Sequence, residues 1–198
     1  MIIPRTARPL ILASASPRRR DLLTAHGCPF VLHPANVEEI APAHLDAHSI
    51  VHHNALLKAQ AVAPLHPASI TLGVDTLVAF QNTVLGKPAS LEAAEAMLAR
   101  LNGQTHEVLS AVALLCPALR WQHTFVTTTS VRFHHRDPDF RSRYLARIGP
   151  LDKAGSYAAQ DDREDMIAHV SGSMSNVIGL PMEDLAEALR SAPPQLLQ

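Results

Sequence analysis

The sequence predicts a mixed α/β fold with a cleft between a helical side and a sheet side. Helical and strand-like segments alternate through residues 10–101, which favours helices layered on a sheet. Two long strand-like segments, residues 105–115 and 121–133, then follow each other directly, as antiparallel neighbours do. The 198 residues are enough for one sizeable core. We therefore expect a single domain over residues 1–198, compact as one body or as a pair of lobes, that is not a regular doubly wound sheet.

Capping and helix-breaking residues set the predicted element boundaries. Ser16 is a favourable N-cap and Pro17 suits the first helical position, so an apolar strand ending at Ala13 should turn tightly into a helix. The tail after Ser191 is proline-rich and is expected to be loose. Periodicity and turn residues predict the remaining elements: strands at 28–33, 69–80 and 166–170, helices at 43–63, 91–101 and 137–147, a hairpin turn at 81–83, and a last helix from Pro181.

Composition and charge exclude several functional classes. The chain is 47% hydrophobic with a formal net charge of −1, so it is globular and has no electrostatic support for nucleic-acid binding. No apolar run reaches membrane-spanning length and the first residues lack a signal-type apolar region, so we expect neither membrane insertion nor export. Cys28 and Cys116 lie far apart without metal-type spacing, which indicates reduced thiols in a cytoplasmic protein.

Familiar catalytic and cofactor motifs are missing from the sequence. It contains no glycine-rich P-loop, no dinucleotide-binding glycine pattern and no Gly-x-Ser-x-Gly elbow. Its twelve histidines include the adjacent pairs His52-His53 and His134-His135, but none shows zinc-ligand spacing. We interpret the histidines as surface or strand residues.

Three arginines, Arg18, Arg19 and Arg20, occupy the first turn of the helix predicted after Ser16. Cations there face the positive end of the helix dipole, at a cost of a few tenths to about 1 kcal/mol each. That cost is understandable if an anion binds in front of the helix, within reach of both free N–H groups and guanidinium groups. The alternative is a solvated basic turn, and this stretch alone does not choose between them.

Other candidate chemistry centres on Asp75, which interrupts an apolar strand. A buried carboxylate needs compensation, such as a metal ion or a proton taken from water; a turn or salt-bridged aspartate is the alternative. Lys87 follows Gly86, where the backbone can approach a phosphate closely. Either Glu38 or Glu39 could help Asp75 to hold a hard divalent cation, or both belong to a solvated acidic loop.

Three further polar residues are candidates. Lys58 is either a residue that binds a ligand or simply part of the polar edge of its helix. Lys153 and Gln160 flank a glycine-containing loop, where a side-chain amide could read the edge of a nucleobase.

Seven short motifs follow one another along the chain: Ser14-Ala15-Ser16-Pro17-Arg18-Arg19, Lys58-Ala59, Asp75-Thr76-Leu77-Val78, Gly86-Lys87-Pro88, Gly103-Gln104-Thr105-His106, Asp152-Lys153-Ala154-Gly155-Ser156-Tyr157 with Gln160, and Asn176-Val177-Ile178-Gly179-Leu180-Pro181. In this order they resemble the Maf family of nucleoside triphosphate pyrophosphatases. The resemblance covers residues 10–190, nearly the whole chain. Within the family it points to the dTTP/UTP branch, on the basis of Arg18, Thr76 and Gln160.

The resemblance implies an elongated twisted sheet flanked by helices, with a central cleft between two lobes. It implies hydrolysis of the α–β phosphoanhydride of dTTP, UTP or modified pyrimidine nucleotides, with a divalent metal cation such as Mg²⁺ or Mn²⁺, in a house-cleaning role. Asp75 would be the proton acceptor and, with Glu39, a metal ligand. The residues implied to bind the triphosphate are Ser14, Ser16, Arg19, Lys58, Lys87 and Lys153, and those implied to select the base are Arg18, Thr76 and Gln160.

Two departures from the family pattern fall near the predicted base pocket. Gln160 is followed by Asp161-Asp162-Arg163 where the family continues with glycine, and Met174 stands where an aromatic residue is usual. Activity on 7-methyl-GTP or on a broad set of modified nucleotides is therefore one alternative. A nucleotide-sensing regulator of cell division is the alternative from another class. Relatives in such families are often dimers, so a homodimer is a further expectation.

Overall fold

The computed structural model describes residues 3–42, 44–161 and 165–198, apart from the side chain of Asp161. Asp162 and Arg163 of the first departure, and Ala43 at the start of a predicted helix, lie outside this range. The described strands form one mixed seven-stranded sheet in the order β2-β1-β3-β5-β6-β7, with β4 paired to β3. The strands are β1 (Leu10–Leu12), β2 (Phe30–Leu32), β3 (Thr71–Phe80), β4 (Thr83–Leu85), β5 (Thr105–Cys116), β6 (Trp121–Phe133) and β7 (Ile167–Ser171).

Strand direction divides the sheet into two parts. β1 runs parallel to β2 and β3, whereas every other pairing is antiparallel. The longest ladder joins β5 and β6 from Thr105↔Arg132 to Cys116↔Trp121. These are the two long segments that the sequence predicted as antiparallel neighbours. The predicted mixed α/β class is confirmed.

An unpaired stretch of β3 creates room for a site. β1 is so short that it pairs with β3 only at Thr71 and Leu72. β4 pairs with the same edge of β3, but only from Val78 onward. Between residues 73 and 77, this edge of β3 therefore has no partner strand in the described part of the chain. Since alternate side chains of a strand point to opposite faces, Asp75 and Thr76 at this edge point to opposite sides of the sheet.

Six helices flank the sheet within the described residues. They are α1 (Pro17–Ala25), α2 (Ala47–Val62), α3 (Leu91–Leu101), α4 (Pro138–Ile148), α5 (Met174–Ile178) and α6 (Met182–Arg190). Side-chain caps begin two of the predicted helices: at α3 the Ser90 side chain accepts a hydrogen bond from the Ala93 N–H, and at α4 the Asp137 side chain accepts one from the Phe140 N–H. Ser16 occupies the N-cap position of α1, but its side chain makes no capping bond. The predicted hairpin turn is also present, with left-handed Gln81 and Asn82 between β3 and β4.

Helix α2 packs very closely on the sheet face that carries Asp75. Gly73 makes this possible, because a Cβ atom at that position would lie 2.2 Å from the Ala55 carbonyl oxygen. Small residues on both layers, including Ala59 on α2 and Ala111 on β5, complete the contact. The close approach brings polar side chains of α2 within reach of β3.

Two hydrophobic clusters lie on the other face of the sheet, separated by polar residues. One cluster joins β1, α1 and α6 to Leu72 and Val74, and the other joins α3 and α4 to Val78 and Phe80. Thr76 lies between them on β3, paired across the sheet with Ser110, and their hydroxyl oxygens are 2.9 Å apart.

The structure differs from the sequence prediction at the C-terminal end. Helix α5 was not predicted, because its five residues are too few to show a helical period. The tail after Ser191 was expected to be loose, yet Leu196 is buried and the Gln198 N–H donates to the Arg5 carbonyl. Contacts with the N-terminal segment, which local composition does not reveal, order this tail.

Candidate active site

A cleft of about 590 Å³ opens at the unpaired edge of β3. It gathers residues from β3, α1, α2, the turn after β4 and the segment after α4. All but one of the predicted site residues line it: Ser14, Ser16, Arg18, Arg19, Glu39, Lys58, Asp75, Thr76, Lys87 and Lys153.

Asp75 is the buried carboxylate of this cleft, with 4% of its surface exposed. One carboxylate oxygen lies 2.7 Å from Lys58 Nζ, and the other accepts a hydrogen bond of 3.2 Å from Asn54 Nδ2. Asn54 is itself fixed, because its amide both accepts from the N–H and donates to the carbonyl of Ile40. Sequence reasoning missed Asn54, although its position four residues before Lys58 places both side chains on one face of α2.

Lys58 lies between two carboxylates and is not a solvated edge residue, one of the two roles considered for it. Its Nζ is 2.8 Å from Glu39 Oε1 as well as 2.7 Å from Asp75 Oδ1, and the residue is 7% exposed. Burial raises the pKa of Glu39, but the hydrogen bond and charge of Lys58, with the charges of Lys87 and Arg19, outweigh burial and leave that pKa below its ordinary value. Glu39 is therefore an anion at neutral pH.

Arg19 is buried and ties three segments together. Its Nε donates to the Gly179 carbonyl at 3.0 Å, Nη1 to Ser14 Oγ at 2.7 Å and Nη2 to Thr76 Oγ1 at 3.2 Å. Burial lowers its pKa to about 10, with Asp75 and Glu39 opposing the shift and Arg18 adding to it. The group remains cationic at pH 7, and these bonds use three of its five N–H donors.

Arg18 and Lys153 share one carboxylate at the cleft. Arg18 Nη1 lies 3.2 Å from Asp152 Oδ2, and Lys153 Nζ lies 2.5 Å from Asp152 Oδ1. Burial raises the pKa of Asp152, but Lys153 and Arg18 outweigh burial, so the pKa lies below its ordinary value. The sequence identifies Asp152 only as part of a motif, because no local signal reveals that it meets Arg18.

The other predicted residues occupy the rim of the cleft or lie outside it. Lys87 is exposed at the rim, beside Gly86, whose carbonyl accepts the Gly155 N–H. Gln160 is exposed in the turn Ala159–Asp161 and does not line the cleft. Met174 is 43% exposed at the start of α5 and also lies outside the lining.

Four buried apolar side chains form one side of the cleft, which we call the apolar wall: Val78, Val108, Tyr157 and Val177. All four belong to the hydrophobic cluster that includes α3 and α4. The cleft therefore offers both a set of charged groups and an apolar surface, a combination that suits an amphipathic small molecule.

Within the described ranges, no three His, Cys, Asp or Glu side chains converge as a ready-made metal site. The carboxylates of Asp75 and Glu39, which flank Lys58, come closest to forming such a metal site. A cation held between them would need ligands from the bound molecule as well. Among the same residues, no helix combines the length and apolarity that spanning a membrane would require.

Comparison with known proteins places the chain in one family. The Maf-like protein family model matches residues 9–192. A protein of Akkermansia muciniphila is 41% identical over 181 residues, which cover 91% of this chain and 95% of its own. A protein of Moorella thermoacetica is 42% identical over 180 residues (91% and 93%), and one of Myxococcus xanthus is 43% identical over 183 residues (92% of each). All three are named dTTP/UTP pyrophosphatase. The family model and these relatives show that the chain belongs to the Maf-like protein family.

Proposed function

We propose that the protein is a nucleoside triphosphate pyrophosphatase that hydrolyses dTTP and UTP to the nucleoside monophosphate and pyrophosphate, in a house-cleaning role. The observation that carries the proposal is the buried Asp75, which Lys58 and Asn54 hold in a cleft that also contains Arg19 and Lys87. The name that the three relatives share supports the same reaction.

The division of the cleft into charged and apolar parts supports a nucleotide as the substrate. A triphosphate needs several cations around its oxygens, and Arg19, Lys58 and Lys87 supply them. The apolar wall offers a surface for the nucleoside. We place the triphosphate along the three cations and the nucleoside against the apolar wall.

In the proposed reaction, a water oxygen attacks the α-phosphorus and the α–β phosphoanhydride bond breaks. Asp75 accepts the proton that the water loses. Lys58 and Asn54 keep the carboxylate in one orientation, so that it meets the water without reorganisation. Arg19 and Lys87 neutralise the charge on the departing pyrophosphate.

We include a divalent cation in this proposal because the carboxylates of Asp75 and Glu39 are suited to bind one. Asp75 and Glu39 both contact Lys58 Nζ, within 2.8 Å, so the two carboxylates lie close together. Mg²⁺ is usually held by one or two carboxylates together with substrate phosphates, and this site has that donor set. When bound, such a cation would neutralise phosphate oxygens and polarise the phosphoryl group.

We further propose that Arg18 and Thr76 contact the pyrimidine base. Both line the cleft, and Arg18 can exchange its contact with the exposed Asp152 for a base carbonyl, because an exposed ion pair contributes only about 0–1 kcal/mol. Gln160 keeps the same proposed role only if the turn that carries it moves inward. A cytoplasmic location accords with the free thiols of Cys28 and Cys116. The homodimer stays a prediction.

The deciding experiment is pyrophosphate release from a panel of nucleoside triphosphates, with Mg²⁺, with Mn²⁺ and without metal. We expect dTTP and UTP to be the best substrates, with no release in the absence of metal. Asp75→Asn, which preserves side-chain shape, should lower turnover by at least about a hundredfold, because it removes the proton acceptor. Asp139→Asn, on the exposed start of α4, is the matched control and should leave turnover unchanged.

Three results would contradict the proposal in different ways. Equal rates on purine and pyrimidine nucleotides would overturn the base preference. Full activity without metal would remove the cation from the mechanism. Near-normal turnover by Asp75→Asn would mean that another group accepts the proton.

A further inference from the structure

We infer that His106 is a positioning residue that holds Tyr157 in the apolar wall and thereby sets how tightly the nucleoside part of the substrate binds. The inference rests on the proposed function, since it concerns the nucleoside side of the same cleft. His106 lies on β5 behind the wall, does not itself line the cleft, and has no part in the reaction described above.

His106 and Phe133 contact Tyr157 through one hydrogen bond and two edge-to-face ring contacts. His106 Nε2 lies 3.1 Å from the Tyr157 hydroxyl oxygen. The His106 and Tyr157 ring centroids are 5.4 Å apart at 75°, and Phe133 contacts the Tyr157 ring at 4.9 Å and 88°. All three residues are at most 6% exposed, so the contacts form in a dry environment, where hydrogen bonds are electrostatically stronger.

The position of the Tyr157 ring decides the shape of the apolar wall. Gly155 has φ +69°, and a Cβ atom there would lie 3.2 Å from Tyr157 Cε1 and 3.0 Å from Val78 Cγ2. The ring thus fills the space up to the Gly155 backbone on one side and reaches the cleft on the other. A change in ring position would alter the surface that the nucleoside meets.

Packing alone does not explain a histidine at this place. His106 is 2% exposed and its Nδ1 has no hydrogen-bond partner among the described residues, which costs stability. Burial also lowers its pKa to about 4, so the imidazole is neutral at pH 7. A phenylalanine would fill a similar volume without an unpaired nitrogen. What the imidazole adds is its hydrogen bond to Tyr157, and we assign its role to that bond.

A pair of amide variants separates this role from packing. The amide of His106→Gln reaches the position of Nε2, next to the Tyr157 hydroxyl, whereas the shorter amide of His106→Asn stops near Nδ1. The quantities to measure are kcat and KM for dTTP, and inhibition by inorganic triphosphate, which lacks a nucleoside. His106→Asn should raise KM for dTTP by about tenfold, as loss of one hydrogen bond allows, with kcat changed by less than about twofold. Inhibition by inorganic triphosphate should not change, and His106→Gln should stay within about threefold of the unsubstituted chain.

Tyr157→Phe breaks the same hydrogen bond from the other partner and keeps both rings. It should raise KM at least as much as His106→Asn does, and adding His106→Asn to it should cause no further loss, because both substitutions remove the His106–Tyr157 hydrogen bond. This variant also carries the test if His106→Asn does not fold.

The inference is overturned if dTTP and inorganic triphosphate weaken equally, if KM does not move, or if the Gln and Asn variants behave alike. Its failure can be told apart from failure of the proposed function. If the unsubstituted chain releases no pyrophosphate, the proposed reaction fails, and calorimetric binding of dTTP against inorganic triphosphate still tests the role of His106.

Discussion

Gly73→Ala tests whether the close packing of α2 on β3 holds the catalytic groups together. The new Cβ would lie 2.2 Å from the Ala55 carbonyl oxygen and 2.7 Å from the Ala59 nitrogen, where ordinary contacts begin at 3.4 Å. Both neighbours are backbone atoms of α2, so no side-chain rotation relieves the clash. The helix must move by roughly 1 Å, and it carries Asn54 and Lys58 with it.

The expected magnitude follows from this geometry. Overpacking of a well-packed core costs about 1–3 kcal/mol, and a clash with backbone belongs at the upper end. For a chain of this length, about 3 kcal/mol corresponds to a melting temperature lower by about 6–12 °C. Turnover should fall by about 10–100-fold, since a misplacement of about 1 Å in a catalytic site can cost up to about a hundredfold.

The assay combines thermal unfolding with pyrophosphate release from dTTP. Gly86→Ala is the matched control for stability, because a Cβ there would have no atom of the described residues within 4 Å and its φ is not positive. Gly86→Ala should leave the melting temperature unchanged or raise it. The free energy of unfolding should rise by at most about 1 kcal/mol. If Gly73→Ala melts within about 2 °C of the unsubstituted chain and keeps its turnover, α2 does not sit against β3 as described.

Two further predictions concern charged groups. Lys58→Met leaves the buried Asp75 without its cation, so the free energy of unfolding in urea should fall by about 3 kcal/mol. Adding Asp75→Asn should restore part of that loss. A loss below about 1 kcal/mol for Lys58→Met would show that the pair is not desolvated. Burial raises the pKa of Glu183, but hydrogen bonds from Ser173 and Ser175 outweigh burial and lower it overall. A lowered folded pKa stabilises the protein above the unfolded pKa of about 4.3, and this stabilisation is lost as pH falls through the folded pKa. Glu183→Gln should therefore lower the melting temperature by about 1–3 °C at pH 7, a small value because the carboxylate is exposed. The difference in melting temperature between the variant and the unsubstituted chain should vanish in acid. A constant difference at all pH values would contradict this.

Local sequence signals predicted most element boundaries of this protein. Ser16-Pro17, Ser90 and Asp137 stand at the starts of α1, α3 and α4, and Gln81-Asn82 makes the turn between β3 and β4. These signals work because capping and turn formation depend on neighbouring backbone groups alone. Helix α5 escaped prediction for the complementary reason, since its five residues are ordered by distant partners: the Asn176 side chain donates to the Val108 and Thr127 carbonyls of β5 and β6.

The sequence by itself determined which residue types the site contains, because Asp75 inside an apolar strand and arginines in a first helical turn are costly wherever the chain folds. Only the tertiary structure decided how they meet. The gap between β1 and β4 opens the edge of β3 beside Asp75, Gly73 lets α2 bring Lys58 to within 2.7 Å of that carboxylate, and Arg19 is drawn inward to Ser14 and Thr76. Gln160, predicted from its motif alone, lies outside the cleft. Strand order and helix–sheet distance arise from contacts between residues far apart in the chain, which no local pattern encodes.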